Sequence, residues 1–261
     1  LGISSPGVWP SVFGRLYGQI RIYDPADGNV WREPGYRKLY DTTSIGTEGI
    51  SRTSTAVSIA STASAASGSV AEPKAEYGHS VAYNEALGVM VVGSPGATVN
   101  GRAKAGKAVL YTRNADGNWT QSANYFSSPS PLLKGTRFGD GVALGRIYDR
   151  NVSILAIGEP SLNRIYVYVS QGANVGKSYT LETTLFCDIT TSNSTVDMSG
   201  STTPTFTVSQ RYGERGSIAI HGFLLVVAAP ALETAWVYRR VYNAYTNSWG
   251  WSDPVWLRST D

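Results

Sequence analysis

Two carboxylates occupy matching positions in the chain, and paired carboxylates are the groups with which glycoside hydrolases perform acid–base chemistry. Asp140 and Glu214 each follow an aromatic residue and a glycine. Residues at repeated positions more often maintain a fold than catalyse a reaction. We therefore expect both carboxylates to accept hydrogen bonds from a neighbouring turn, and we assign no catalytic residue to the chain.

The other groups that could support catalysis are sparse. The chain contains two histidines, His79 and His221, so a histidine-based metal site would need both of them together with carboxylates from other segments. Serine is abundant, but no Gly-x-Ser-x-Gly motif occurs and neither histidine has a serine–aspartate context. The sequence thus predicts a protein that is not an enzyme and that has no metal and no cofactor.

Composition excludes several further classes. The 261 residues include 22 Lys and Arg against 19 Asp and Glu, and the resulting charge of +3 is scattered along the chain, so we expect no nucleic-acid partner. The longest apolar run, residues 223–232, is about half the length of a membrane-spanning helix. One cysteine, Cys187, cannot form an internal disulfide. Because the chain opens at Leu1 without a basic leader, we expect a processed product or part of a longer protein.

Internal repetition is the most informative feature of the sequence. Three segments begin with an aromatic residue and a glycine, continue with an unbroken apolar run, and end in small residues and a proline. The paired residues are Tyr77-Gly78, Phe138-Gly139 and Tyr212-Gly213, and the closing prolines are Pro95, Pro160 and Pro230. The N-terminus repeats only the last part of this pattern, up to Pro6. The repetition predicts four units, of which the first lacks its beginning.

Each unit reads as four strands joined by tight turns. The apolar run is typical of a strand that is covered on both faces, and the strand after it alternates and ends in tyrosine. These tyrosines are Tyr23, Tyr111, Tyr168 and Tyr238. We place the units at residues 1–50, 77–136, 137–211 and 212–261, with a Ser/Thr/Ala-rich insertion at residues 51–76. A sheet of this kind cannot cover both faces alone, and stacking sister sheets around an axis covers them, so the sequence predicts an all-β propeller of four-stranded antiparallel blades.

The repeated segments resemble the FG-GAP repeat of integrin α-subunit propellers. The resemblance rests on residues 138–139 followed by 157–160, and on residues 77–78 followed by 92–95. It implies blades of a seven-bladed ring, of which this chain supplies about four, although a smaller ring of about four blades remains an alternative. It also implies an extracellular or surface-exposed adhesion protein. Many FG-GAP repeats bind calcium between their first two strands, but residues 84–88, 146–151 and 220–222 offer at most one carboxylate each, so we predict no calcium.

Loops provide the candidate binding residues. The loop at residues 98–107, which we call the basic loop, lies between the second and third strands of its unit and carries Asn100, Arg102, Lys104 and Lys107. Ligand contacts in FG-GAP proteins lie on the corresponding face, so these four residues are our candidates for binding an acidic partner. A solvated hairpin tip is the structural alternative. The matching loop of the first unit is aromatic, with Trp9, Phe13 and Tyr17. Its content suits burial against a neighbouring subunit, which we favour, or stacking on a sugar.

We therefore expect a non-enzymatic recognition, adhesion or assembly module of an extracellular or particle-surface protein. Its partner would be a protein or a neighbouring subunit, with a glycan as an alternative, and no segment of this chain would span a membrane. Two other functions remain open from the sequence. One is a purely architectural subunit of a surface assembly, and the other is a carbohydrate-binding or carbohydrate-active protein.

Overall fold

The computed structural model describes residues 2–8, 17–23, 36–39, 75–115, 117–130, 133–187 and 211–258, with only the backbone of the first three ranges. In these residues the chain forms β-strands joined by turns and short 3₁₀ segments, which confirms the predicted all-β class. The predicted insertion lies outside the described residues, apart from Ala75 and Glu76. So do Trp9 and Phe13 of the aromatic loop.

The strands form four consecutive antiparallel sheets in the described residues. Sheet 1 contains β1 (Gly2–Val8), β2 (Tyr17–Tyr23) and β3 (Tyr36–Leu39). Sheet 2 contains β4 (Ser80–Asn84), β5 (Val89–Ser94), β6 (Lys107–Arg113) and β7 (Trp119–Phe126). Sheet 3 contains β8 (Val142–Ile147), β9 (Val152–Glu159), β10 (Arg164–Gln171) and β11 (Thr180–Phe186). Sheet 4 contains β12 (Ile218–His221), β13 (Leu224–Ala229), β14 (Thr234–Asn243), β15 (Ser248–Trp251) and β16 (Val255–Arg258).

The fourth strand of sheet 4 is divided in two. β15 pairs with residues 240–243 of β14, and β16 pairs with residues 234–237 of the same strand. Sheets 2 and 3 show a register shift at the corresponding place, between Val109 and Tyr111 and between Val167 and Tyr168. The irregularity therefore recurs beside the tyrosine of the third strand in sheets 2, 3 and 4, and sheet 4 is a four-stranded sheet with an interrupted edge.

The sheets stack in a propeller-like succession. Each first strand contacts the first strand of the next sheet, β4 against β8 and β8 against β12, while β1 contacts β4. We call the side of a sheet that looks toward the preceding sheet its near face, and the opposite side its far face. Every residue of β5 and β9 is buried, as their unbroken apolar sequences predict, and β9 has a neighbouring sheet on each face.

Two apolar clusters join the sheets. In the first, the far face of sheet 2 meets the near face of sheet 3 through Val91, Leu110, Leu155 and Tyr166. In the second, the far face of sheet 3 meets the near face of sheet 4, with residues such as Ile154, Val167, Leu225, Val227 and Trp236. Burial of these side chains is the main force that holds the stack together, since each sheet alone would leave apolar surface in water.

Glycine allows the sheets to approach closely at one end of the second strand. A Cβ atom added to Gly158 would lie 1.8 Å from the carbonyl oxygen of Gly213, and one added to Gly93 would lie 2.0 Å from that of Gly139. Gly139 and Gly213 have φ angles of 86° and 74°, which a side chain would strain. Glycine is therefore required at these positions, because the turn that opens a unit lies directly against the backbone of the unit before it.

In sheets 2 and 4 the repeated aromatic residue and the repeated tyrosine meet. The hydroxyl groups of Tyr77 and Tyr111 are 2.6 Å apart, and those of Tyr212 and Tyr238 are 2.8 Å apart. Burial, followed by the neighbouring Tyr238, raises the pKa of Tyr212 well above its ordinary value, so this hydroxyl keeps its proton. Phe138 stands at the same position in sheet 3 and cannot make this hydrogen bond.

Candidate functional site

The basic loop begins as a tight hairpin. Val99 and Arg102 exchange backbone hydrogen bonds of 3.1 and 2.9 Å across Asn100 and Gly101. These two residues have φ angles of 49° and 77°, so the tip is a two-residue turn of the type that an Asn-Gly pair favours. The sequence therefore fixes the local shape of the loop tip.

The second half of the basic loop is bound to residues 135–138, where its own unit ends and the next unit begins. The amides of Gly135, Arg137 and Phe138 donate to the carbonyls of Ala103, Lys104 and Ala105 at 3.1, 3.1 and 2.9 Å. Gly106 lies so close to Phe138 that a Cβ atom would lie 2.1 Å from its carbonyl oxygen. Since most of these backbone groups are paired, the loop is held in one conformation by two sheets.

The structure separates the four candidate binding residues into two groups. Asn100, Arg102 and Lys104 are exposed and lie together on the hairpin. Lys107 is the first residue of β6 and is only 5% exposed, with its Nζ atom 5.4 Å from the centre of the Tyr125 ring. Its charge is therefore not part of the surface that the other three residues present. The loop's contribution to binding itself stays a prediction.

A cluster of charged side chains lies at the same end of the sheets as the basic loop. We call it the Asp140 cluster, and it consists of Glu76, His79, Arg137 and Asp140. The Nε atom of Arg137 donates to Asp140 Oδ2 at 2.7 Å, and its two terminal nitrogens bind the carboxylate of Glu76 at 2.9 and 3.3 Å. His79 Nε2 lies 3.3 Å from Asp140 Oδ1. The cluster therefore links the turn that opens sheet 2 to the turn that opens sheet 3.

Asp140 extends this link to sheet 4. Its Oδ1 atom accepts a hydrogen bond of 3.1 Å from the backbone amide of Arg215. Burial alone would raise the pKa of Asp140, but hydrogen bonds and positive charge from His79 and Arg137 lower it below its ordinary value. The carboxylate is thus ionised and fully engaged, which matches the expectation that it accepts a hydrogen bond from a neighbouring turn.

Glu214 repeats part of this arrangement one unit later. Its Oε2 atom accepts a hydrogen bond of 2.6 Å from Nε of Arg211, as Asp140 does from Arg137. Arg211 and Arg137 both have positive φ angles, of 58° and 61°, so the two turns share a backbone conformation as well as an ion pair. Each of the two paired carboxylates is therefore held by its own arginine.

One buried acidic residue did not enter the sequence-based candidates. Glu159 is completely buried, and its Oε2 atom accepts hydrogen bonds from Tyr166 at 2.7 Å and from Ser128 at 3.0 Å. Ser94 and Ala229 occupy the position of Glu159, directly before the proline, in two other units. A charged residue at a position that is otherwise small is therefore a signal that the sequence contained. The hydroxyl partners of Glu159 come from β10 and from the segment after β7, and sequence spacing does not indicate that they meet.

The described part of the chain contains neither a candidate metal site nor a candidate membrane-spanning helix. No three residues among its histidines, cysteines, aspartates and glutamates are grouped so that they could hold a metal ion. None of its helical segments is long and apolar enough to cross a membrane.

Comparisons with known proteins give little additional information. No family model matches the chain, and no curated protein matches it. Among solved structures, the chain is similar to the crystal structure of Kluyvelomyces marxianus Hsv2, with 12% sequence identity and a TM-score of 0.39. The match covers 69% of this chain and 49% of the Hsv2 chain, so this chain spans about half of that protein's length.

Proposed function

We propose that the chain is a non-enzymatic recognition module whose basic loop binds an acidic protein partner. The observation that carries this proposal is the exposure of Arg102 and Lys104 on a hairpin whose backbone is fixed by hydrogen bonds to the following unit. A loop that is already ordered loses little conformational entropy on binding, so more of its interaction energy contributes to affinity. Exposed arginine and lysine also steer a negatively charged partner toward the surface.

We propose further that the stacked sheets belong to an FG-GAP-type β-propeller of an extracellular or surface-exposed protein. The repeated aromatic–glycine turns and the contact between successive first strands support this assignment. In the described residues, sheet 1 lacks a strand equivalent to β4, β8 and β12. Another segment that supplied this strand would complete the sheet, either in a ring of about four blades or in a seven-bladed ring of which this chain is a part.

An architectural role in a larger assembly is the second candidate function. It is favoured by one observation, the exposed apolar far face of sheet 4, on which Leu224 is 43% exposed and Leu257 is 54% exposed. A contiguous exposed apolar surface of this kind is typical of protein–protein interaction sites. The two roles use different surfaces of the molecule and can therefore be tested separately.

Binding of biotinylated poly-L-glutamate, measured by biolayer interferometry at low salt, tests the recognition proposal. Replacing Arg102 and Lys104 together by alanine removes two exposed charges, and we expect binding about five- to tenfold weaker, because an exposed ion pair contributes about 0.2–1 kcal/mol. The matched control replaces Arg150 and Lys177, two exposed cations at the opposite end of sheet 3. Equal losses in both variants would mean that only net charge matters and would refute a specific role for the loop.

A second probe distinguishes a protein partner from a glycan. Heparin oligosaccharides carry a higher charge density than poly-L-glutamate. Their charges are attached to a sugar chain, whereas those of poly-L-glutamate are side chains of a polypeptide. We expect the Arg102 and Lys104 variant to lose affinity for poly-L-glutamate at least as strongly as for heparin. A loss confined to heparin would assign the loop to a glycan and contradict the proposed acidic protein partner.

A further inference from the structure

Four exposed cations lie at the end of the sheets that carries the basic loop. Arg102 and Lys104 belong to the loop itself, Lys134 lies between sheets 2 and 3 in the chain, and Arg215 lies in the turn that opens sheet 4. No carboxylate of the described residues lies within ion-pair distance of any of these four side chains. Their charges are therefore not neutralised by a described acidic residue.

The carboxylates in the turns of this end are already paired. Arg137 binds Glu76 at 2.9 Å and Asp140 at 2.7 Å, and Arg211 binds Glu214 at 2.6 Å. Two arginines against three carboxylates leave one negative charge, which the four unpaired cations outweigh. This end of the sheets therefore presents a net positive surface.

The two remaining carboxylates at this end do not change that balance. Glu159 is completely buried. Glu233 is exposed, but it directly precedes Thr234, which pairs across the strands with Arg258. A cation of its own sheet thus lies beside Glu233, and neither carboxylate cancels the four unpaired cations.

Lys134 adjoins the basic loop. The amide of Gly135 donates a hydrogen bond of 3.1 Å to the carbonyl of Ala103. Lys134 directly precedes Gly135, and Ala103 stands between Arg102 and Lys104. Because consecutive Cα atoms are about 3.8 Å apart, the backbones of the three cations lie within about 10 Å of one another. Lys134 therefore adds a third charge to the two exposed cations of the loop.

Arg215 is joined to this group through the Asp140 cluster. The amide of Arg137 donates to the carbonyl of Lys104 at 3.1 Å. The side chain of Asp140 then accepts hydrogen bonds of 2.7 Å from Arg137 and of 3.1 Å from the amide of Arg215. Only the amide of Arg215 takes part, so its side chain stays exposed. Because packed sheets lie about 10 Å apart, the step from sheet 2 to sheet 4 places Arg215 roughly 15 to 20 Å from the loop.

We propose that these four cations, which we call the cationic surface, form one binding surface for an extended acidic segment of a protein partner. The inference rests on the proposed function, because it extends the surface of the basic loop to sheet 4. An extended chain advances about 3.3 Å per residue, so about six residues span this distance. A partner segment must therefore carry acidic side chains over at least about six residues to reach all four cations.

The aromatic residues in the turns of the cationic surface favour a polypeptide over a nucleic acid. Phe138 and Tyr212 are both completely buried. Single-stranded nucleic acids gain much of their affinity from bases that stack on exposed aromatic rings, and these turns offer no such ring. Charge pairing with carboxylates needs only the exposed arginines and lysines that are present.

Fluorescein-labelled oligoglutamates of three and ten residues, measured by fluorescence anisotropy at low salt, test the extent of the surface. The tripeptide spans about 10 Å and can contact the three cations around the basic loop, but it cannot reach Arg215 at the same time. We expect Arg215→Ala to weaken binding of the decapeptide about two- to fivefold and to leave binding of the tripeptide within about 1.5-fold. Lys134→Ala should weaken binding of both peptides.

Lys177→Ala is the matched control, because Lys177 is an exposed cation at the opposite end of sheet 3. Arg215→Ala keeps the amide that binds Asp140, so its urea midpoint should equal that of the wild type. A decapeptide that binds the Arg215→Ala and Lys177→Ala variants equally well would overturn the extended surface. The proposed function would still stand if the double replacement of Arg102 and Lys104 weakened binding in the same series, and it would fall as well if that replacement had no effect.

A single-stranded oligo(dT) of ten nucleotides tests the class of partner. We expect Arg215→Ala to weaken its binding no more than that of the decapeptide. A larger loss for the oligonucleotide would assign the cationic surface to a nucleic acid and would overturn the acidic polypeptide as its partner.

Discussion

Replacement of Gly158 by alanine is the most direct test of how the sheets are joined. Gly158 lies at the end of β9, and the added Cβ atom would lie 1.8 Å from the carbonyl oxygen and 2.8 Å from the carbonyl carbon of Gly213. Both neighbours are backbone atoms, so no side-chain rotation can relieve the overlap. Sheets 3 and 4 must move apart at this point if the alanine is to fit.

The required movement determines the energetic cost. Bringing the contact from 1.8 Å to an ordinary separation of about 3.4 Å moves the two backbones apart by roughly 1.5 Å, and a gap of about 1 Å already removes up to about half of a dispersion contact. Overpacking of a core costs about 1–3 kcal/mol and occasionally more. Because rigid backbone is involved on both sides, we expect a loss of about 3 kcal/mol.

Urea unfolding followed by tryptophan fluorescence measures this loss. With a slope of about 2 kcal/mol per molar urea, a loss of about 3 kcal/mol lowers the unfolding midpoint by about 1.5 M. Gly250→Ala is the control, since Gly250 also lies in a strand and its added Cβ atom would meet nothing within 4 Å. We expect this control to be neutral or slightly stabilising, because alanine restricts the unfolded chain.

A Gly158→Ala variant as stable as the Gly250→Ala variant would refute the reasoning. It would mean that the close approach of sheets 3 and 4 does not limit the side chain at this position. The inference that repeated glycines mark the junctions between units would then lose its physical basis.

The remaining predictions concern two polar contacts. Removing either hydroxyl of the buried pair Tyr212 and Tyr238 by substitution with phenylalanine should cost about 1–3 kcal/mol, while the double variant should lose clearly less than the sum, which a double-mutant cycle in urea measures. The lowered pKa of Asp140 means that its stabilising effect is complete above the pKa of an unfolded aspartate, about 4, and is lost as the pH falls through the lower folded-state value. Asp140→Asn should therefore lower the urea midpoint at neutral pH and flatten its decline in acid, and an unchanged acid profile would contradict the assignment.

Much of the fold follows from patterns that are local in the sequence. The unbroken apolar runs become β5, β9 and β13, and the alternating segments that end in tyrosine become part of β6, β10 and β14. These elements are predictable because burial on one or both faces of a strand directly determines which residues are apolar. Repetition adds confidence that a single run would not provide, since the same order of elements recurs in register.

Long-range partners were less accessible to prediction. The position of Asp140 after an aromatic–glycine pair indicated a structural hydrogen bond, but the sequence did not indicate that Glu76 and His79 of the preceding unit would join it. Lys107 looked like one more cation of the basic loop, although it begins a strand and lies against Tyr125. The side chains that cover a residue come from distant segments, and one sequence does not state which segments those are.

The hydrogen bonds of the basic loop determine where the chain can be cut between its repeated units without loss of the loop's conformation. Lys104 and Ala105 are held by Arg137 and Phe138, which belong to the next unit along the chain. A unit cut away after its own fourth strand would keep every amino acid of its loop and lose the groups that give the loop its shape. A single repeat grafted onto another protein would therefore carry the amino acids of this surface but not their conformation. The smallest segment that keeps the conformation of the loop contains two neighbouring units.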